Sequence, residues 1–271
     1  MSEFYKEHWR EIEPERLQRY ERMFAWRPEL AGVLERMSLR AGLQVLDFGC
    51  GPGFVAEAMA DAVGPAGRVV GVDLNQTFIE RAQARNSRRS DIAFVTSDGQ
   101  VPAAAASFDR ALCKNVLEYV TDAQATLNDL FRALKPSALL HVSDSDWGFL
   151  LVHPWTQQET ARLFAAAAVA FREPLIGRRL PGMLQRAGFV NIDVQIQAGA
   201  DREGRMRPVL ENMANYARGA GGMPEMEVAD LLQRADTAIA SGDFMMVLPQ
   251  FSIVAHKPSA SSPDGGVEYS A

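Results

Sequence analysis

The chain has 271 residues, 47% of them hydrophobic and 23% charged, and a formal charge of −6. Such a length suits one α/β core with additions, and the composition excludes collagen-like, disordered or disulfide-built chains. A net negative charge argues against nucleic acid or an anionic membrane surface as partner and leaves small molecules.

The charged start, MSEFYKEHWREIEPERLQRYERM, lacks the apolar stretch of a secretory signal, and LFAAAAVAF is too short to span a bilayer. Only Cys50 and Cys113 are present, without metal-ligand spacing, so two reduced thiols, no metal and a cytoplasmic location are expected.

Residues 1–40 read as helical, with Trp9, Leu17, Tyr20, Phe24 and Val33 among the apolar residues spaced to share a face. They are expected to form a lid segment before a core domain spanning 41–257. That core opens with strand QVLDF, a helix through FVAEAMADAV, strand RVVGVDL, a helix from Asn75 and strand IAFVTS. A strand FDRALCKNV, a helix stopped by Pro136, and a strand ALLHVSDSD continue the alternation.

Helical insertions are expected at about 147–176 and 200–243, the second as one Met-rich stretch from Arg205 to Ile239. A helix and strand lie between them, and FMMVLPQFSIVAHK reads as one final strand. Residues 258–271 read as a disordered tail. The alternation predicts a Rossmann-like, doubly wound, mostly parallel sheet.

The segment VLDFGCGPGF places Gly49, Gly51 and Gly53 on the first strand-to-helix turn, where a missing Cβ lets backbone bend sharply and approach a ligand. Asp73 ends the second strand 26 residues after Asp47, where a carboxylate can accept from both hydroxyls of a ribose. Asp98 lies past the third strand, so three acids occupy successive strand ends and point to a nucleoside. A dinucleotide fingerprint would need glycine where Phe54 stands, and Asp47 would repel a pyrophosphate. The absence of a following GK[ST] leaves a triphosphate loop unsupported.

The motifs VLDFGCGPGF, VVGVDLN, SDGQ, FDRALCKNVLEYV and RALKPSALLHVSD together resemble class I S-adenosylmethionine-dependent methyltransferases. The similarity is to the small-molecule branch that includes the ubiquinone and menaquinone biosynthesis enzymes, and it implies a seven-stranded sheet. It also implies S-adenosylmethionine as cofactor and S-adenosylhomocysteine as product. Asp47 would face the methionine ammonium, with Gly49 and Gly51 against the cofactor and Cys50 between them as a small filler. Asp73 would bind the ribose, Leu74 would cover the adenine, and Asp98 with the Gly99 amide would meet its amino group. The backbone at Lys114 and Asn115 would close over the methionine moiety, with Tyr20 reaching it from the N-terminal segment.

The expected reaction moves a methyl group to nitrogen or oxygen of a small acceptor, with carbon methylation of a quinone-like metabolite or a silent cofactor-binding subunit as alternatives. Asp144, His153 and Tyr119 are the catalytic candidates, because a hydroxyl acceptor needs its proton removed. Trp9, Glu118, Tyr119, Asp146, Trp147 and His153 are the candidates for the acceptor pocket. The sequence leaves the oligomeric state open, a homodimer included.

Overall fold

The computed structural model describes residues 3–27 and 31–259. The N-terminal segment forms three short helices, α1 (Phe4–Arg10), α2 (Pro14–Phe24) and α3 (Ala31–Met37). Pro14 begins α2, where its missing N–H costs nothing. Leu17 and Tyr20 of α2 are buried in one cluster with Phe78, and Trp9, Met23 and Phe24 pack against it. Burial of each such side chain is worth about 1.5–3 kcal/mol, so the segment is held to the body by packing. The expected helicity across 28–30 lies outside the described residues.

The body alternates β1 (Gln44–Phe48), α4 (Phe54–Val63), β2 (Arg68–Asp73), α5 (Gln76–Arg85), β3 (Ile92–Thr96), β4 (Phe108–Lys114), α6 (Ala123–Ala133) and β5 (Leu134–Ser145). Side chains cap α5 and α6: Asn75 accepts from the Phe78 N–H and Asp122 from the Ala125 N–H. After β5 come β6 (Leu151–His153), α7 (Gln157–Ala167), α8 (Ile176–Arg186), β7 (Val190–Gln197), α9 (Arg207–Gly219), α10 (Glu225–Ser241), β8 (Met245–Val247) and β9 (Gln250–His256).

Seven strands form one sheet in the order β3-β2-β1-β4-β5-β9-β7. The first five run parallel, and β9 lies antiparallel between β5 and β7. This is the Rossmann-like, mostly parallel sheet that the sequence predicts. Nearly continuous apolar runs such as Val45–Leu46 and Val69–Val70 suit strands covered on both faces.

Four boundaries differ from the sequence reading. Helix α6 ends at Ala133, before Pro136, because proline disfavours helical geometry in the residue preceding it. The expected Met-rich helix is two helices, α9 and α10, interrupted where Gly221 takes a left-handed φ of 61° and Pro224 follows. The expected last strand is two, β8 and β9, separated around Pro249, which has no N–H for a ladder. Strands β6 and β8 pair as a separate two-stranded sheet, each only three residues long and too short to show an alternation in sequence.

The two intervening segments build a second core. Trp147, Val152, Trp155, Leu163, Phe171, Leu210, Met213, Leu231 and Met246 share one cluster drawn from 147–171 and 210–246. The final expected feature, the tail, falls almost wholly on 260–271, outside the described residues.

Candidate cofactor site

The carboxyl ends of β1, β2 and β4 open onto a cavity of about 770 Å³. In an open parallel sheet this is where ligands bind, because the strand order reverses between β1 and β4. Its floor is the turn after β1. Gly49 adopts φ +77°, and a Cβ there would stand 2.1 Å from Val116 Cγ2. Gly51, at φ +51°, has only Phe24 within 4.0 Å of the corresponding position, so its backbone is bare toward the cavity.

Asp73 is fixed by two backbone donors, the Gly51 N–H to Oδ2 and the Asn75 N–H to Oδ1, both at 2.8 Å. Each oxygen keeps a lone pair for a further donor. Asp47 is different: it is 3% exposed, and its Oδ2 has no hydrogen-bond partner. Burial pushes its pKa up to about 7, the neighbouring Asp73 charge adds to this, and Lys114 opposes it. A buried carboxylate oxygen left unpaired is costly, and an incoming cation would relieve that cost.

Lys114 ends β4 and also lines the cavity, and Asn115 follows at φ +54° with its own Oδ1 buried and unpaired. Leu74, Gly99 and Cys50 complete this part of the wall. Burial raises the Cys50 thiol pKa well above its ordinary value, so it is no nucleophile.

Asp98 stands at the rim, half exposed, and its carboxylate is engaged by helix α1: Lys6 at 2.6 Å and Arg10 at 2.7 Å. Asn75 reinforces the contact, its side-chain amide donating to the Trp9 and Arg10 carbonyls. The end of α1 is thus tied to the ends of β2 and β3. Lys6, Arg10 and Asn75 carry no motif that sequence reading alone would single out for this role.

Of the acceptor-side candidates, Trp9 and Tyr119 line the cavity, together with Met23 and Phe24, which the sequence reading did not select. The other acceptor-side candidates, and Tyr20, which was expected at the methionine moiety, are elsewhere, and their expected roles are corrected here. Tyr20 lies behind the wall, stacked on Trp9 and Phe24, its hydroxyl 3.4 Å from that of Tyr216. Asp144 is fully buried and accepts from the Leu117 and Val116 N–H groups, shaping the loop after β4. Glu118 accepts from Trp147 Nε1 at 2.5 Å, and Trp147 is a core residue of the second cluster.

Asp146 does not continue the strand beside Asp144. It caps a short 3₁₀ turn through the Gly148 N–H and holds Arg178 in a two-pronged pair at 2.7 Å. His153 sits on β6, exposed, 3.3 Å from Asp243. The alternation of a strand had placed these groups near one another; the turn after Ser145 turns them into scaffold.

His8 is a buried ring in contact with Trp9, Tyr119 and Tyr216. Burial lowers its pKa to about 4, so it is neutral near pH 7, and its Nε2 has no partner. It backs the two aromatic walls without itself lining the cavity.

Residues 45–137 match the methyltransferase-domain family. That stretch runs from β1 into β5, and the order of the sheet around it is the Rossmann-like one of the solved methyltransferase structures to which the chain is similar. Its relatives include the demethylmenaquinone methyltransferase of Staphylococcus aureus, 27% identical over 66% of this chain and 80% of that protein. An uncharacterized 37.1 kDa protein in a transposon of Streptomyces fradiae is 28% identical; the alignment covers 82% of this chain but only 65% of that protein's length. Among solved structures, the [4+2]-cyclase SpnF shares the fold with a TM-score of 0.54 at 21% identity, over 86% of this chain and 80% of that one. The phosphoethanolamine N-methyltransferase 2 of Haemonchus contortus does so with 0.61 at 16%, over 90% and 57%.

Proposed function

We propose that the protein moves the methyl group of S-adenosylmethionine to nitrogen or oxygen of a small, partly apolar acceptor. The observation that carries this reading is the buried Asp47 carboxylate, one oxygen unpartnered, beside a bare glycine turn. When bound, the cofactor supplies an electrophilic methyl group on its sulfonium. The residues of the chain then supply position. Asp47 would hold the methionine ammonium, Asp73 the ribose hydroxyls and Leu74 one face of the adenine, while Lys6 and Arg10 draw α1 across the rim through Asp98.

Trp9, Met23, Phe24 and Tyr119 would seat a flat or apolar acceptor and keep water from the methyl group. Alignment of this kind lowers a barrier by on the order of 7–11 kcal/mol, enough to carry most of the reaction without a dedicated base. The Haemonchus neighbour, whose structure contains S-adenosylhomocysteine and a phosphorylated amine, and the demethylmenaquinone relative place both amines and quinone-like carbon acceptors in the panel to be tried.

Titration calorimetry with S-adenosylmethionine, S-adenosylhomocysteine and NAD tests the cofactor reading. Binding of the first two is expected, weakened in Asp73→Ala; binding of NAD alone would overturn it. Turnover across amines, phenols and demethylmenaquinone then tests transfer. A second reading, a cofactor-binding subunit without transfer, is favoured by one observation: none of Asp144, Glu118, Asp146 or His153 reaches the cavity. Tight cofactor binding with no turnover across the whole panel would establish it.

A further inference from the structure

Two opposite charges face the cavity without being paired to each other. Asp47 of β1 has its unpartnered Oδ2; Lys114 of β4 has no hydrogen bond and no carboxylate oxygen within 4.0 Å of its ammonium among the described residues. Their placement follows from the ladder. Strands β1 and β4 are parallel neighbours with Asp47 opposite Leu112, so Lys114, two residues further, lies on the same face and one step nearer the strand ends. Two lone charges of opposite sign on neighbouring strands at one cavity wall are complementary to a zwitterion, not to a simple cation or anion.

Lys114 also cannot be explained as the partner of the other nearby acids. Asp144 spends its oxygens on the Val116, Leu117 and Ser145 amides, and Glu118 accepts from Trp147. Neither closes an ion pair with Lys114, although both charges and that of Asp47 favour its protonated form against the effect of burial.

We infer that the Lys114 ammonium binds the α-carboxylate of the cofactor's methionine moiety while Asp47 binds its α-ammonium, so that Lys114 makes the site specific for the intact amino-acid head. This rests on the cofactor reading above and gives the Lys114 side chain a role separate from its backbone. Decarboxylated or truncated nucleosides would keep the contacts to Asp73 and Leu74 and forfeit the clamp.

The test is calorimetry with three ligands: S-adenosylhomocysteine, its decarboxylated aminopropyl analogue, and 5′-methylthioadenosine, which lacks both charges. In Lys114→Met, affinity for S-adenosylhomocysteine should fall about 10- to 100-fold, the value of a charge-assisted contact, with the other two unchanged. In Asp47→Asn, the first two should weaken and 5′-methylthioadenosine should not. Lys114→Arg should restore part of the loss.

Equal losses for all three ligands in Lys114→Met, or no loss for S-adenosylhomocysteine, would overturn the clamp and leave Lys114 to structure or to the acceptor. A wild-type protein that binds none of the three, while folded by circular dichroism, would instead overturn the cofactor reading.

Discussion

Asp47 carries the clearest pH signature in the molecule. In the free protein burial holds its pKa near 7, whereas an ammonium beside it favours the carboxylate and lowers that value. Binding therefore releases a proton below pH 7. Affinity for S-adenosylhomocysteine should be full above pH 7 and fall by about tenfold per unit below it, as calorimetry between pH 5.5 and 8 would show. A flat profile would mean that no cation sits on Asp47. Gly49 is the second sensitive residue: Gly49→Ala needs a left-handed alanine and drives its Cβ into Val116 Cγ2. A cost of about 1–3 kcal/mol is expected, read as lost cofactor affinity with the circular dichroism spectrum retained. Both residues are visible in the sequence because the chemistry is local to one turn. Lys6, Met23 and Phe24 are not visible, because they reach the cavity only through the packing of α1 and α2 against α5.

At the scale of elements, α1 is held by the packing of Phe4, His8 and Trp9 and is pinned at the cavity rim by charge. Lys6 and Arg10 share the Asp98 carboxylate, whose own pKa they hold below the usual range, and the groups are partly exposed. Exposed pairs of this kind are worth about 0–1 kcal/mol each and are screened by salt. If α1 must lift for the cofactor to leave, the dissociation rate of S-adenosylhomocysteine should rise with ionic strength. Asp98→Asn should raise that rate about two- to tenfold and remove most of the salt dependence in stopped-flow measurements. A rate insensitive to both would show that α1 does not gate the site. The misassigned acceptor candidates belong to this scale too. Asp144, Asp146 and His153 are close in sequence, but the strand ends at Ser145, and the turn capped by Asp146 carries His153 away on β6. Strand periodicity cannot announce where a strand stops when the residue after it, buried Asp146, turns away to cap the next turn and pair with the exposed Arg178, 32 residues downstream.

For the whole molecule, the mostly parallel sheet was legible because βαβ alternation is written in runs of apolar residues. The second core was not, since its two sources are separated by α8 and β7 and meet only in space. Ligand binding should stabilise the assembled body: S-adenosylhomocysteine at 100 times its dissociation constant adds about 2.7 kcal/mol, or roughly 5–10 °C in a thermal melt. NAD at the same concentration should leave the melt unmoved.

The second core also separates two histories. The cofactor cavity is floored by turns of the Rossmann body, while Tyr119 leans on a cluster with its own tryptophans, leucines and methionines. Substitutions inside that cluster can tilt the Tyr119 wall without disturbing Asp47, Asp73 or the glycine turn. Acceptor preference can therefore drift, or be selected in the laboratory, through residues that touch neither reactant, and the cofactor grip survives each intermediate along the way.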